Sequence, residues 1–237
     1  MLAGSDSTLA TMAQAISTTI NAFDAASDLD LDRSDEDRQF FALRRALLEP
    51  HLSPLVAARR AIEDHDLDLG ARLQVRVEMG DHVLDSGVSD GNTGTKLALK
   101  SKTELGASHV FGKSVATLTK ERIALEPKKV LAAVERFKDV PDFPTRGAIA
   151  ADLTKRADQQ QSCLDEREKG NEARARLVSA GIKLVLDAAH ALAAAKGALD
   201  ERFPRQREYV ATFFLDVLSG RSRRAEPAPA EPTAPAD

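Results

Sequence analysis

Leu73 to Leu99 reads LQVRVEMGDHVLDSGVSDGNTGTKLAL, and the fold turns on whether this stretch is strand or helix. Its first part alternates: Leu73, Val75, Val77 and Met79 stand between Arg72, Gln74, Arg76 and Glu78. A period of two is the mark of a half-buried strand. Leu69, Leu73, Val77, Leu84 and Val88 also fit one helical face, with Gly80 and Gly87 in register as close-packing positions. The helical reading predicts a helix through Val88 and a Gly-rich, less regular segment over 87–118. The alternative is a small β-hairpin inserted into a helical body. Leu97 and Leu99, alternating with Lys96, Lys100 and Lys102, hint at a strand.

On either side of this stretch the signals are helical. Leu9, Met12, Ile16, Ile20 and Phe23 recur at spacings of three and four, which predicts a helix over Ser7 to Ala26 with Ser7 as its cap. An acidic connector follows over 28–37. There Asp28, Asp30 and Asp32 alternate, but a calcium loop needs Gly and Glu where Arg33 and Gln39 stand. Ser34 with Asp37 instead resembles a capping box that opens the next helix. That helix carries Phe40, Phe41, Leu43, Leu47 and Leu48. Pro50 and Pro54 predict a break over 49–53 and a new start at Pro54, because proline removes a helix hydrogen bond and clashes with the preceding turn.

Downstream, Leu125 to Lys138 reads as a short helix with Pro127 in its first turn. The longest signal is 145–203, continuous or broken at Gly170 or Gly181. Within it, Thr154 to Arg176 is polar nearly all round, which predicts an arm projecting into solvent. Pro204 ends it, and a last helix runs to Ser219 with Gly220 as its cap. Residues 221–237 are rich in Pro and Ala and read as a disordered tail.

The expected architecture is therefore mainly α. It is an antiparallel helical bundle of about five to seven helices forming one domain over 1–220, with the tail appended.

Composition narrows the function classes. The 237 residues are 43% hydrophobic and 30% charged, too apolar for a wholly disordered chain. Cys163 is the one cysteine, so a disulfide framework and a Cys-rich zinc module are excluded. A net charge of -4 gives no basic footprint for nucleic acid. No uninterrupted apolar run approaches the roughly 18 residues of a membrane span, and Met1 to Ala10 lacks the pattern of a secretory signal. With a lone cysteine, a cytoplasmic location is expected.

Chemistry-bearing patterns are sparse. Gly106 to Ser114 (GASHVFGKS) approximates a phosphate loop but has one residue too many between its glycines and no apolar strand before it. Asp187 with His190, and His82 with Asp85, are spaced to share a helix face, yet neither is the Glu-x-x-His of di-iron bundles. Cys163 lies among acids, which work against an activated thiol. Arg221, Arg223 and Arg224 make a short basic cluster that reads as a solvated linker. No catalytic residue, metal ligand or cofactor is assigned. If a ligand site exists, it is expected in the Gly-rich region at Asp81, His82, Asp85, Asp90 and Asn92, where glycine lets backbone approach a ligand. The leading expectation is a non-enzymatic protein that acts through contacts with a protein partner or with itself.

Overall fold

In the computed structural model of the chain, residues 5–29, 34–99, 106–112, 114–120 and 122–214 are described. The deciding stretch is helical from end to end: helix α3 spans Ala71–Leu99. No strand occurs among the described residues, so the β-hairpin is not formed. Every second residue of Leu73–Met79 is apolar, but only Leu73 and Val77 are buried. The buried set continues as Leu84, Gly87, Val88, Gly91, Asn92 and Thr95, at spacings of three, four and seven. That is helical periodicity, and it runs past Val88 to the end of the element.

The remaining elements are α1 (Ser5–Leu29), α2 (Asp35–Asp64), a π-helical turn (His65–Gly70) leading into α3, α4 (Ala107–Phe111), α5 (Ala116–Thr119), α6 (Glu126–Glu135) with a 3-10 turn (Arg136–Asp139), α7 (Arg146–Arg202) and α8 (Arg207–Thr212). Ser34 caps α2 as the sequence pattern indicates. The Asp37 N–H donates to Ser34 Oγ at 3.2 Å, and that hydroxyl donates to Asp37 Oδ2 at 3.1 Å. Part of the acidic connector (30–33) and the tail over 221–237 lie outside the described residues.

The break predicted in α2 does not occur, and of the two courses open to the longest helix the continuous one is taken. Helix α2 passes through Pro50 and Pro54. Both prolines are on the exposed side, so the carbonyls they leave without a helix partner, those of Ala46 and Pro50, belong to exposed residues that water can reach. Phe41, Leu48, Leu55 and Ile62, each seven residues apart, are fully buried on the inner side. Together they contribute about 6–12 kcal/mol, which matches or exceeds the roughly 6 kcal/mol that the two prolines cost. Helix α7 likewise runs unbroken for 57 residues through Gly170 and Gly181.

The chain divides into two compact units: residues 1–62 with 177–237, and residues 63–176. In the first, Leu9, Met12, Ile16, Ile20 and Phe23 of α1 meet the buried row of α2 and Ala188, Leu192, Ala195 and Leu199 of α7. Phe23, Phe41, Phe203 and Phe213 cluster at one end, with ring centroids 5.0–6.1 Å apart in successive pairs. In the second, α3 lies antiparallel to the first half of α7. The side chains of Ile149 and Leu153 meet Gly91, Arg156 meets Gly87, Gln160 meets Gly80, and Gly170 meets Leu73.

This pairing corrects the solvent-exposed arm. Leu153, Ala157, Gln160, Cys163, Leu164 and Gly170 of α7 are all buried. The stretch looks polar all round because its inner row is built from small and uncharged polar residues, with few large apolar ones. Where α3 has glycine, α7 supplies a long side chain, and at Gly170 the roles reverse. Helices α4 and α6 and the 3-10 turn pack Val110, Phe111, Val130, Ala133 and Phe137 onto Leu84, Val88, Leu153 and Ala157.

Candidate functional site

The five positions singled out on α3 separate once the helix is formed. Asp81 and Asp85 are one turn apart and partly buried. His82 and Asp90 are exposed. Asn92 is 8% exposed on the packed side, about 16 Å along the axis from Asp81. The site therefore reduces to the Asp81–Asp85 pair, joined by a residue that the sequence pattern does not single out: Glu126, the first residue of α6.

Glu126 is 1% exposed. Pro127 follows it and is also buried, in the first turn where a missing N–H costs nothing. An acid at this helix position is ordinarily a solvated partner of the macrodipole, and that is why Glu-Pro attracts no notice in the sequence. Here the packing of α6 on α3 turns it inward. Among the described residues, no donor reaches Glu126 Oε1, Asp81 Oδ1 or Asp85 Oδ1, although all three atoms are buried. Burial, then hydrogen bonding with Asp85 and Asp81 and the negative charge of both, push the Glu126 carboxyl up to about 9. The helix N-terminus works in the opposite direction and is outweighed. At neutral pH Glu126 is thus a neutral acid, and its O–H is the donor that the oxygens otherwise lack.

A second buried polar group lies in the same unit. Gln160 is fully buried; its Nε2 donates to the Val77 carbonyl at 3.2 Å, and its Oε1 lies against Gly80. A Cβ at position 80 would fall 2.1 Å from that oxygen, so any larger residue there would force the Gln160 amide to move.

The other patterns noted in the sequence dissolve. Gly106 precedes the short helix α4, and Gly112 ends it at φ 81°, in the left-handed region; Lys113 lies outside the described residues. Asp187 and His190 are exposed on α7. Cys163 is a buried free thiol packed with Val77 and Leu164. Among the described residues, no group of three or more His, Cys, Asp or Glu side chains has the arrangement of a metal site. In the first unit, a cavity of about 520 Å³ is lined by Lys196, Asp200, Pro204, Arg207, Val210 and Ala211, and Asp200 already pairs with Lys196 at 2.6 Å.

These features define a mainly α protein with a buried acid cluster. No known protein family, no curated protein and no solved structure matches the chain.

Proposed function

We propose that the chain is a non-enzymatic helical-bundle protein that acts through protein–protein contacts, as a scaffold, adaptor or assembly component. The observation that carries this reading is a row on α3. Val75, Met79 and Val83 follow one another at intervals of four, and their exposures are 56%, 59% and 38%. They stand on the opposite side of the helix from Leu73, Val77 and Leu84. Single exposed apolar side chains are ordinary, but an aligned row is the form in which a helix presents a docking stripe. Leu43 with Leu47 on α2, and Ile182 with Leu186 on α7, repeat the pattern as exposed pairs.

One 18-residue stretch of α7 is apolar enough, by length and composition, for a membrane span, and 17% of it is buried. The core helix of a water-soluble protein passes the same criterion. The reading favours a protein-facing surface, because exposed Lys183, Asp187 and His190 interrupt the apolar residues there. The same reading carries a cytoplasmic location, on the unpaired Cys163.

The test is light-scattering mass and pull-down from the native host, with Met79→Glu beside the wild type. Self-association or a partner that Met79→Glu weakens tenfold or more supports the reading. A strict monomer with no partner overturns it, and binding to vesicles alone replaces it with a membrane role.

A second reading, a small-ligand or metal-binding protein with its site on α3, has in its favour, for the ligand, the meeting of Asp81, Asp85 and Glu126, which lack the arrangement of a metal site. Metal analysis and a thermal-shift ligand screen decide it; no metal and no shift remove it.

A further inference from the structure

Three carboxyl groups from two elements converge in a buried place, and something must supply the donor they lack. We propose that Glu126 is a proton-binding latch: as a neutral acid it donates to the Asp81–Asp85 pair and fastens α6 to α3, and its ionisation undoes that fastening.

The geometry carries the inference. Glu126 is buried, stands on a different element from the aspartates, lies within hydrogen-bonding reach of both, and each of the three carboxyls has a buried oxygen that no donor reaches. A third full negative charge at this place would meet two others in a poorly solvated environment, so one proton stays with the cluster. The raised affinity of Glu126 for its proton agrees with this.

The charged groups on the surrounding elements leave that role to the proton. On α7, Arg156 is the basic residue over this part of α3, and its Nε donates to Asp152 Oδ2 and its Nη1 to the Val83 carbonyl. On α4, His109 pairs with Asp139. Lys120, beside α5, and Lys128, on α6, are exposed, as is His82 of α3. Lys129 is half-buried one turn along α6. The charges acting on Glu126 are those of Asp85 and Asp81.

The consequence is a stability that falls with rising pH. The native chain keeps a proton that the unfolded chain loses above the ordinary glutamate range. The latch is therefore fully effective below about pH 4.5 and is lost as the pH climbs toward about 9. Over that window the native-to-unfolded ratio drops by up to about tenfold per pH unit. Val130 and Ala133 of α6 share one buried apolar cluster with Leu84, Val88 and Phe111, so release of α6 exposes apolar area.

Two measurements test the latch. In wild-type protein with ¹³C-labelled glutamate, the Glu126 carboxyl resonance is expected to titrate well above every other glutamate; titration in the ordinary range overturns the proposal. Urea midpoints and binding of an apolar dye are then compared from pH 5.5 to 10 in wild type and Glu126→Gln. The amide keeps a donor and cannot ionise. Wild type is expected to lose midpoint and gain dye with rising pH, and Glu126→Gln to change much less. Identical pH profiles overturn the proposal. Saturable calcium or magnesium binding that Glu126→Gln abolishes also overturns it, in favour of a cation at this place. The wild-type resonance decides the matter even if the variant fails to fold.

Discussion

Asp66 accepts two bonds from one guanidinium, from Arg174 Nε at 2.7 Å and Nη2 at 2.8 Å. His65 adds a ring contact to Asp66 at 3.3 Å and holds the Gly170 carbonyl at 3.1 Å through its other nitrogen. The Arg174 hydrogen bonds are the main reason the Asp66 carboxyl lies below its usual range, with burial opposing them. A depressed acid contributes stability above its ordinary value and loses it as the pH falls through the native one. The pair is partly exposed, so its worth is about 1 kcal/mol. We expect the wild type to lose that amount below about pH 4 and Asp66→Asn to show no such loss, as read from urea midpoints at pH 3 and 7. This pair opposes Glu126, whose contribution fades on the alkaline side. Both groups are visible as letters in the sequence. Their pairings are not, because Arg174 and the Asp81–Asp85 pair are brought to them only by helix packing.

At the scale of elements, the glycines divide by what surrounds them. Gly80 faces Gln160, and Gly197 faces open space on the same long helix that carries Gln160. Gly80→Ala is expected to destabilise the protein by about 1–3 kcal/mol, since the Gln160 amide must leave its bond to Val77. Gly197→Ala is expected to stabilise it by about 0.4–1 kcal/mol, through lower unfolded-chain entropy. Equilibrium denaturation of the two variants checks both signs. Proline in α2 gives a third case. Pro54 is exposed inside a continuous helix, so Pro54→Ala is expected to raise stability by about 1–3 kcal/mol by the same measurement. The break expected at 49–53 does not form because the local cost of proline is offset by the buried Phe41–Leu48–Leu55–Ile62 row. The β-hairpin alternative fails for a related reason. Val75 and Met79 complete the alternation in sequence, but they are the exposed row and take no part in the core.

For the whole molecule, the two compact units have separate apolar cores, and the boundaries at 62/63 and 176/177 both fall within helical backbone. Tyr209 is the chain's one tyrosine and packs on Phe203 and Phe213 at 5.5 and 5.2 Å, so its fluorescence reports the first unit. Phe41→Ala, in that core, is expected to cost about 3–5 kcal/mol and to move the Tyr209 unfolding transition. Leu84→Ala, in the other core, is expected to cost about 2–5 kcal/mol and to move the far-ultraviolet dichroism transition while the Tyr209 signal shifts less. Coincident shifts in both probes for both variants would show the units to unfold as one.

The mainly helical class, the Ser34 cap, the core row of α1 and the start of α6 at Leu125–Pro127 were legible in the chain. They depend on periodicities and caps that act within a few residues. Tertiary structure decided the rest: that Leu73–Leu99 is one helix, that Thr154–Arg176 is a packed partner of α3, and that Glu126 is buried against two aspartates. Each depends on which surface meets which across long separations in sequence. A glycine, a glutamine or a glutamate takes its energetic sign from the neighbour it meets, and that neighbour is chosen by packing.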